Sequence, residues 1–235
     1  MTLDYLIGFD TETTGISVVD DRIVTASIVC VAPDGSIHDE FEWLINPGID
    51  IPEGASAVHG VTTEKAQTDG VEPSGALVEI CKVLAGYMAQ GIPIVAYNAS
   101  YDFSILNSEI KRHSLGESFA DFFPDRVVPK LIIDPYVIDK RVDKYRKGRR
   151  TLTDSAKLYG VDLENAHTSF DDCLAAVGVA RALWDKYPVM SEGDLESLYD
   201  AQVSWYKGQQ EGLAAHFKRQ GTEADVNTVW PISTL

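Results

Sequence analysis

Asp10 and Glu12 are two positions apart and follow an apolar run, Tyr5-Leu6-Ile7-Gly8-Phe9. Asp102, His167 and Asp172 stand far downstream. On an extended strand residues i and i+2 share a face, so the first two carboxylates point one way. Four carboxylates and one histidine, brought together, are the ingredients for holding two divalent cations and cutting a phosphodiester. Cations would relieve the mutual repulsion of clustered carboxylates. They would also polarise a phosphate, lower the pKa of a water and stabilise a leaving oxygen. A histidine is suited to taking the proton from that water near neutral pH.

The Asp-x-Glu triplet by itself is a weak signal. With 36 acidic residues in 235, chance supplies about one such triplet. The chain has three: Asp10/Glu12, Asp162/Glu164 and Asp194/Glu196. The second lies in a polar connector and the third opens a helix. Only the first follows a strand-like run. Thr13-Thr14-Gly15 then forms a turn that brings backbone close to a ligand. Asp102 falls in the first turn of a helix that follows a buried strand, where carboxylates are common for dipole reasons alone. Its place at a strand end, opposite Asp10 and Glu12, raises it to a candidate. His167 lies five residues before Asp172, too far round a helix to share a face, so His167 belongs to the preceding loop. Thr168 is the expected N-cap, with Asp171 in the capping-box position, which leaves Asp172 free.

The elements that must position these groups are legible as well. Arg22–Ala32 and Ser36–Asn46 read as strands joined at Asp34-Gly35 by a hairpin turn. Ile51–Gln67 reads as irregular, with helical turns near Ala55 and Thr63. Leu77, Ile80, Cys81, Leu84 and Met88 repeat at helical spacing within Ser74–Gln90. Ile94–Tyr97 and Leu131–Asp134 are short buried strands, and Ser100–Lys111, Thr151–Tyr159 and Ser169–Tyr187 are helices. Antiparallel strands followed by alternating strands and helices give an α/β mixed sheet flanked by helices. A different unit follows Pro188. Ser191 and Asp194 resemble a capping box, and Leu195, Leu198, Tyr199, Gln202, Val203, Tyr206, Leu213 and Phe217 mark one helical face. The aromatic stripe reads as core packing. The tail with Trp230-Pro231 is expected to lie extended over the surface.

Composition sets the class. The chain is 45% hydrophobic and 24% charged, as in soluble globular proteins. Cys30, Cys81 and Cys173 are odd in number and scattered, which fits neither a disulfide framework nor a zinc site and suggests a cytoplasmic setting. There is no signal-peptide pattern and no apolar run long enough for a membrane span. A net charge of −16 argues against coating nucleic acid with a broad basic surface, but not against gripping a few nucleotides at a metal site. Seven of the twenty Lys and Arg fall in one stretch: Lys140, Arg141, Lys144, Arg146, Lys147, Arg149 and Arg150. This run is either a solvated loop or a local phosphate-contacting arm, in which Lys144, Arg146, Lys147, Arg149 and Arg150 are the candidate contacts to the backbone.

Taken together, Phe9-Asp10-Thr11-Glu12-Thr13-Thr14-Gly15, His59-Gly60-Val61-Thr62, Asn98-Ala99-Ser100-Tyr101-Asp102, and His167 with Asp172 resemble the DnaQ-like (DEDDh) 3′→5′ exonucleases, the family of the proofreading epsilon subunit of DNA polymerase III. The motifs occur in the family's order over about residues 4–187. The resemblance implies an RNase H-like fold with a mixed five-stranded sheet, and two Mg²⁺ or Mn²⁺ ions. It implies that Asp10, Glu12 and Asp172 hold metal directly, that Asp102 does so directly or through water, and that His167 is the general base. It further implies that the backbone near Thr13 and the Ile16 side chain meet the terminal nucleotide. His59 alone would read as incidental; within its motif it joins Thr14, Gly15 and Asn98 as a candidate substrate-binding residue. Lys147-Gly148-Arg149-Arg150-Thr151-Leu152 and the Trp230-Pro231 tail look more loosely like stand-alone actinobacterial or phage relatives. Tyr97 stands where a histidine often precedes the motif's Asn.

The expected organisation is an exonuclease domain over residues 1–187 and a helical extension with an extended tail over 188–235. The expected reaction is metal-dependent hydrolysis of the terminal phosphodiester at nucleic acid 3′ ends, most readily single-stranded DNA, giving nucleoside 5′-monophosphates. A DNA polymerase is a candidate partner. An RNA-trimming enzyme of the same chemistry and a non-catalytic polymerase-associated adaptor are the competing readings.

Overall fold

The computed structural model describes residues 3–163, 166–188, 192–222 and 226–233. Glu164 and Ser191 lie outside these. A five-stranded sheet forms the centre, in the order β3-β2-β1-β4-β5. β1 (Leu6–Thr13), β2 (Ile23–Val31) and β3 (Ile37–Leu44) form an antiparallel meander, while β4 (Ile94–Val95) and β5 (Ile132–Ile133) run parallel to β1. The Asp34-Gly35 turn closes the β2–β3 hairpin, with Gly35 at φ 86° and Asp34 accepting from the Ser36 amide. β3 is the outer strand, and its exposed His38, Asp39, Glu40 and Glu42 discourage pairing with another chain.

The pleat sorts the core into two layers. Ile7 and Phe9 of β1 face α3 (Pro73–Ala89) and α4 (Ala99–Arg112), while Leu6 faces α7 (Ser169–Lys186). The predicted stripe of α3, Leu77 through Met88, is buried throughout. Two short helices, α1 (Glu53–His59) and α2 (Thr63–Asp69), form where the sequence indicated only helical turns. They cover a small separate core of Val24, Ile51, Val61 and Ala66.

α5 (Pro135–Val142) was not foreseen. Its signal is the Asp134-Pro135 pair, a capping carboxylate followed by the residue best tolerated in a first helical turn. α6 (Leu152–Tyr159) packs against α7, and both appear close to their predicted bounds. β1 runs to Thr13, so Asp10 and Glu12 sit on the central strand itself and share the face expected of them.

α8 (Leu195–Arg219) starts at Asp194, whose side chain accepts from the Ser197 amide. Leu198, Gln202 and Tyr206 are buried, and Tyr199 and Val203 pack beside them, as expected for a core stripe. Leu213 departs from this: it is 41% exposed, because the last two turns of α8 run past the body of the fold.

The tail is also corrected. Trp230 is 4% exposed, its ring centre lies 5.0 Å from that of Tyr199, and its Nε1 donates to Asp134. The Ser233 amide donates to Ser104 Oγ of α4. An indole has both a large apolar body and a polar handle, and here each finds a buried partner.

This packing sets an expected cost. Trp230→Ala should lower unfolding free energy by about 3 kcal/mol, the usual loss for truncating a buried aromatic. The urea midpoint measures it, and a loss below about 0.5 kcal/mol would return the tail to the surface.

Candidate active site

Asp10 and Glu12 project from β1 toward the face that receives α7. α7 can approach because residue 8 is glycine: a Cβ there would lie 2.7 Å from the Cys173 carbonyl oxygen and 2.8 Å from its Cβ. Asp172 precedes Cys173, so this contact delivers its carboxylate to the strand. Thr168 caps α7 as predicted, accepting from the Asp171 amide and donating to its carboxylate at 2.7 Å. The role assigned to Asp171 is therefore met, and Asp172 is left to the site. His167 sits before the helix at φ 74°, and its amide lies 3.4 Å from Asp172 Oδ1.

Asp102 arrives from the opposite layer. It is 3% exposed in the first turn of α4, and its Oδ1 accepts from both the amide and the hydroxyl of Thr11, at 3.1 and 2.7 Å. Thr11 thus ties the buried carboxylate to the strand segment carrying Asp10 and Glu12. The turn that launches α4 is held by Asp134, which is fully buried. Its carboxylate accepts from the amides of Asn98 and Ala99 at 3.0 Å each, and also from Tyr136 and Trp230. Asn98 occupies the left-handed region at φ 67°, which asparagine tolerates better than most residues.

Electrostatics show the price of this convergence. Burial, then repulsion from Asp102, Asp172 and Glu12, holds the Asp10 carboxyl well above the usual carboxylate range. Burial, then repulsion from Asp172 and Asp102, pushes Glu12 to about 8. Burial raises Asp102 to about 7 against the opposing Thr11 hydrogen bonds, and burial raises Asp172 as well. Such a set is neutralised by protons or by cations. Glu12, His167 and Asp172 each offer a donor atom, all within 4.8 Å of one another, so a divalent cation held by the two carboxylates would stand beside the imidazole. Asp10 sits in the same cleft of about 400 Å³, along with Asn98, Tyr136, Arg150 and Thr151.

The lip of the cleft is the turn after β1. Tyr101 donates its hydroxyl to the Gly15 carbonyl, and Thr13 Oγ1 lies 2.7 Å from both the Tyr101 hydroxyl and the Gly15 carbonyl. Thr14 donates to Asp21, whose other oxygen receives the Ser17 amide. A Cβ at residue 15 would meet the Asp21 carboxylate at 2.6 Å. Gly15 is thus required by the turn's own carboxylate, a reason distinct from the close ligand approach that the sequence suggested. Ile16, held on this rigid turn, is 94% exposed. His59 lies on the other flank, sharing a depression with Glu12 and His167. Burial keeps its imidazole below the ordinary range, with the Thr13 backbone opposing.

The basic stretch divides. The side chains of Arg146 and Arg150 turn inward onto Asp139, a fully buried carboxylate that also accepts from the Tyr159 hydroxyl at 2.6 Å. Arg150 still lines the cleft. Lys144, Lys147 and Arg149 are exposed. Tyr97, in the histidine's place, bonds Ser155 Oγ at 2.7 Å and the Arg150 carbonyl at 2.9 Å, fastening the cleft wall. Sequence reading missed Gly8, Tyr101, Asp134 and Asp139. Of these only Asp134, before a proline, carries a local signal.

The family model described as "Exonuclease" (RNase T) matches residues 7–180, so the chain belongs to the exonuclease family. It is 28% identical over 172 residues to the DNA polymerase III PolC-type of Lacticaseibacillus paracasei, covering 73% of this chain and 11% of that protein. It is 32% identical over 127 residues to the DNA polymerase III subunit epsilon-like protein of Rhodobacter capsulatus, covering 53% and 17%. The chain thus spans under a fifth of these relatives. Among solved structures it resembles E. coli exonuclease I in complex with a dT13 oligonucleotide, with a TM-score of 0.63 at 17% identity over 80% of this chain and 43% of that one. Another exonuclease I structure gives 0.66 at 16%, over 89% and 46%. The fold is the expected RNase H-like one.

The raised carboxyls fix a pH dependence. Each is protonated in the folded state, up to its raised pKa, while the unfolded chain has already ionised. The unfolded state then binds fewer protons, and stability falls as pH rises. Metal-free protein should therefore lose stability between about pH 4.5 and 8, the span of the Glu12 shift. Asp10→Asn should flatten that loss, and added Mg²⁺ should reverse it above pH 7. Thermal melts across pH, with and without chelator, provide the check.

Proposed function

We propose that the chain is a DEDDh-type 3′→5′ exonuclease that removes nucleoside 5′-monophosphates from single-stranded DNA. The observation that carries this is the meeting of Asp10, Glu12, His167 and Asp172 at one cleft, with the buried Asp102 tied to Thr11 of the same strand, in a chain of the exonuclease family. Asp10, Glu12 and Asp172 would hold two divalent cations, Mg²⁺ or Mn²⁺, with Asp102 bound directly or through water. Bound there, such ions supply charge for the phosphate, acidity for the attacking water and stabilisation of the leaving oxygen.

The protein's own groups do the rest. His167, exposed at the mouth of the site, accepts the proton of the water that attacks phosphorus. The P–O3′ bond breaks, and the departing 3′ oxygen of the shortened strand takes up a proton from solvent. Thr13, Thr14 and Gly15 present rigid backbone to the terminal nucleotide, and Ile16 offers an apolar surface to its base. His59 and Asn98 flank the sugar and phosphate. Arg150, already held by Asp139, presents positive charge at the cleft wall without the cost of ordering a free side chain.

Residues 1–187 carry this chemistry and residues 188–235 brace it through Gln202 and Trp230. Among the described residues no helix is long and apolar enough to cross a membrane. The three cysteines are free and buried, which supports a reducing, cytoplasmic setting. The names of the relatives support work beside a DNA polymerase.

The test is degradation of matched single-stranded DNA and RNA labelled at the 5′ end, with Mg²⁺ or Mn²⁺ and then with chelator. We expect stepwise shortening of DNA from the 3′ end that chelator abolishes. Preference for RNA would move the proposal to the trimming enzymes, and no shortening of either would leave an adaptor. Asp10→Ala should eliminate cleavage while the protein stays folded. His167→Ala should lower the rate by roughly 10²–10⁴-fold, and an undiminished rate would remove it as the base.

A further inference from the structure

A second groove, of about 620 Å³, lies between α5 with its following loop and the middle of α8. Its charge is one-sided. Lys140, Arg141, Lys144 and Arg150 line it, and no carboxylate does among the described residues. The nearby acids are already paired: Asp139 with Arg146 and Arg150, Asp143 with Arg146, and Glu211 with Lys207. Lys140, Arg141 and Lys144, which pair with no carboxylate among the described residues, and Arg150, shared with Asp139, make the groove a local trap for anions in a chain of net charge −16.

The groove also has an aromatic wall and an open floor. The Trp205 ring lines it, with the Arg141 guanidinium 5.8 Å from the ring centre. An indole beside a planar guanidinium is a surface on which bases stack. Gly208 and Gly212 lie four residues apart on α8, and a Cβ at either would meet nothing within 4 Å. Glycine inside a helix is unfavourable by about 1 kcal/mol relative to alanine, so two of them keep space open at a cost to α8. Gln209 donates to the Val137 carbonyl, while its Oε1 is buried and has no hydrogen-bond partner among the described residues.

Arg150 lines this groove and the cleft that holds Asp10, Glu12, His167 and Asp172. The two are therefore neighbours across one side chain. We infer that the α5–α8 groove is the track for the upstream nucleotides of a single strand whose 3′ end lies in the cleft. Lys140, Arg141 and Lys144 meet phosphates, and Trp205 stacks a base. This rests on the exonuclease reading for the identity of its ligand. It relocates the phosphate contacts expected of the basic stretch: Arg146 is committed to Asp139, whereas Lys140 and Arg141 join the binding surface.

Binding in excess chelator tests the groove without requiring cleavage. The probes are labelled oligodeoxythymidylates of about 3 and about 15 nucleotides, below and above the reach of a single-strand track. Wild-type affinity is expected to rise with length. Gly208→Leu with Gly212→Leu fills the floor and favours helix, so the fold is kept. Lys140→Gln with Lys144→Gln removes charge and serves independently of that filling. Each pair should weaken binding of the long oligonucleotide about tenfold or more. The lysine pair should also flatten the salt dependence, by about 0.7 for each phosphate that is no longer neutralised. Affinity and salt slope equal to wild type in both pairs would overturn the inference. Equal losses for short and long probes would overturn it too, because they would place the effect in the cleft. Absence of metal-dependent cleavage by the wild type would instead defeat the exonuclease proposal, and leave the binding comparison to decide the groove.

Discussion

Like charges held at short range are the constraint to which the rest of this molecule answers. Asp10, Glu12, Asp102 and Asp172 repel one another, and burial denies them the water that would screen the repulsion. Nothing within the group holds it together, so the surrounding structure must. α7 is pressed against β1 at Gly8, where only a missing side chain permits the contact. Asp102 is pinned by two hydrogen bonds from Thr11, on the same strand as its competitors. The opposing layers thus bring the two distant carboxylates in from opposite faces of the sheet, and packing on each face resists their separation.

A second level of support consists of buried carboxylates that are satisfied. Asp134 gathers amides from the start of α4, the start of α5 and the indole of the tail, and its own amide donates to Gln202 at 2.6 Å. Its pKa is about 6, raised by burial and restrained by those donors. Asp139 gathers two arginines and a tyrosine. A buried carboxylate with full hydrogen-bonding is directional in a way that apolar packing is not. Asp134 orients the helix carrying Asp102, and Asp139 orients the arginine at the cleft wall. Each stands one residue-to-residue contact behind the site.

The candidate site residues were legible in the sequence because their signals are local or periodic. Asp10 and Glu12 share a strand face, and Thr168 with Asp171 forms a cap that singles out Asp172. The α3 stripe was readable for the same reason. What escaped depends on contacts between distant segments. Gly8 looks like any strand glycine until Cys173 lies over it. Arg146 and Arg150 looked like surface charge until Asp139 proved to be buried beneath them. Trp230 looked like the end of a loose tail, since no spacing rule joins it to Asp134, 96 positions away.

The Asp134 node also orders events in time. Its donors come from segments 35, 36 and 96 residues away, and closing such loops is slow relative to forming a helix or hairpin. The meander with Asp10 and Glu12 consists of neighbours in sequence and can assemble early. The seat of Asp102 is finished only when α5, α8 and the Trp230 segment have docked. A growing chain therefore carries its acidic strand long before it carries a completed centre. The centre is therefore complete only once those late segments are in place.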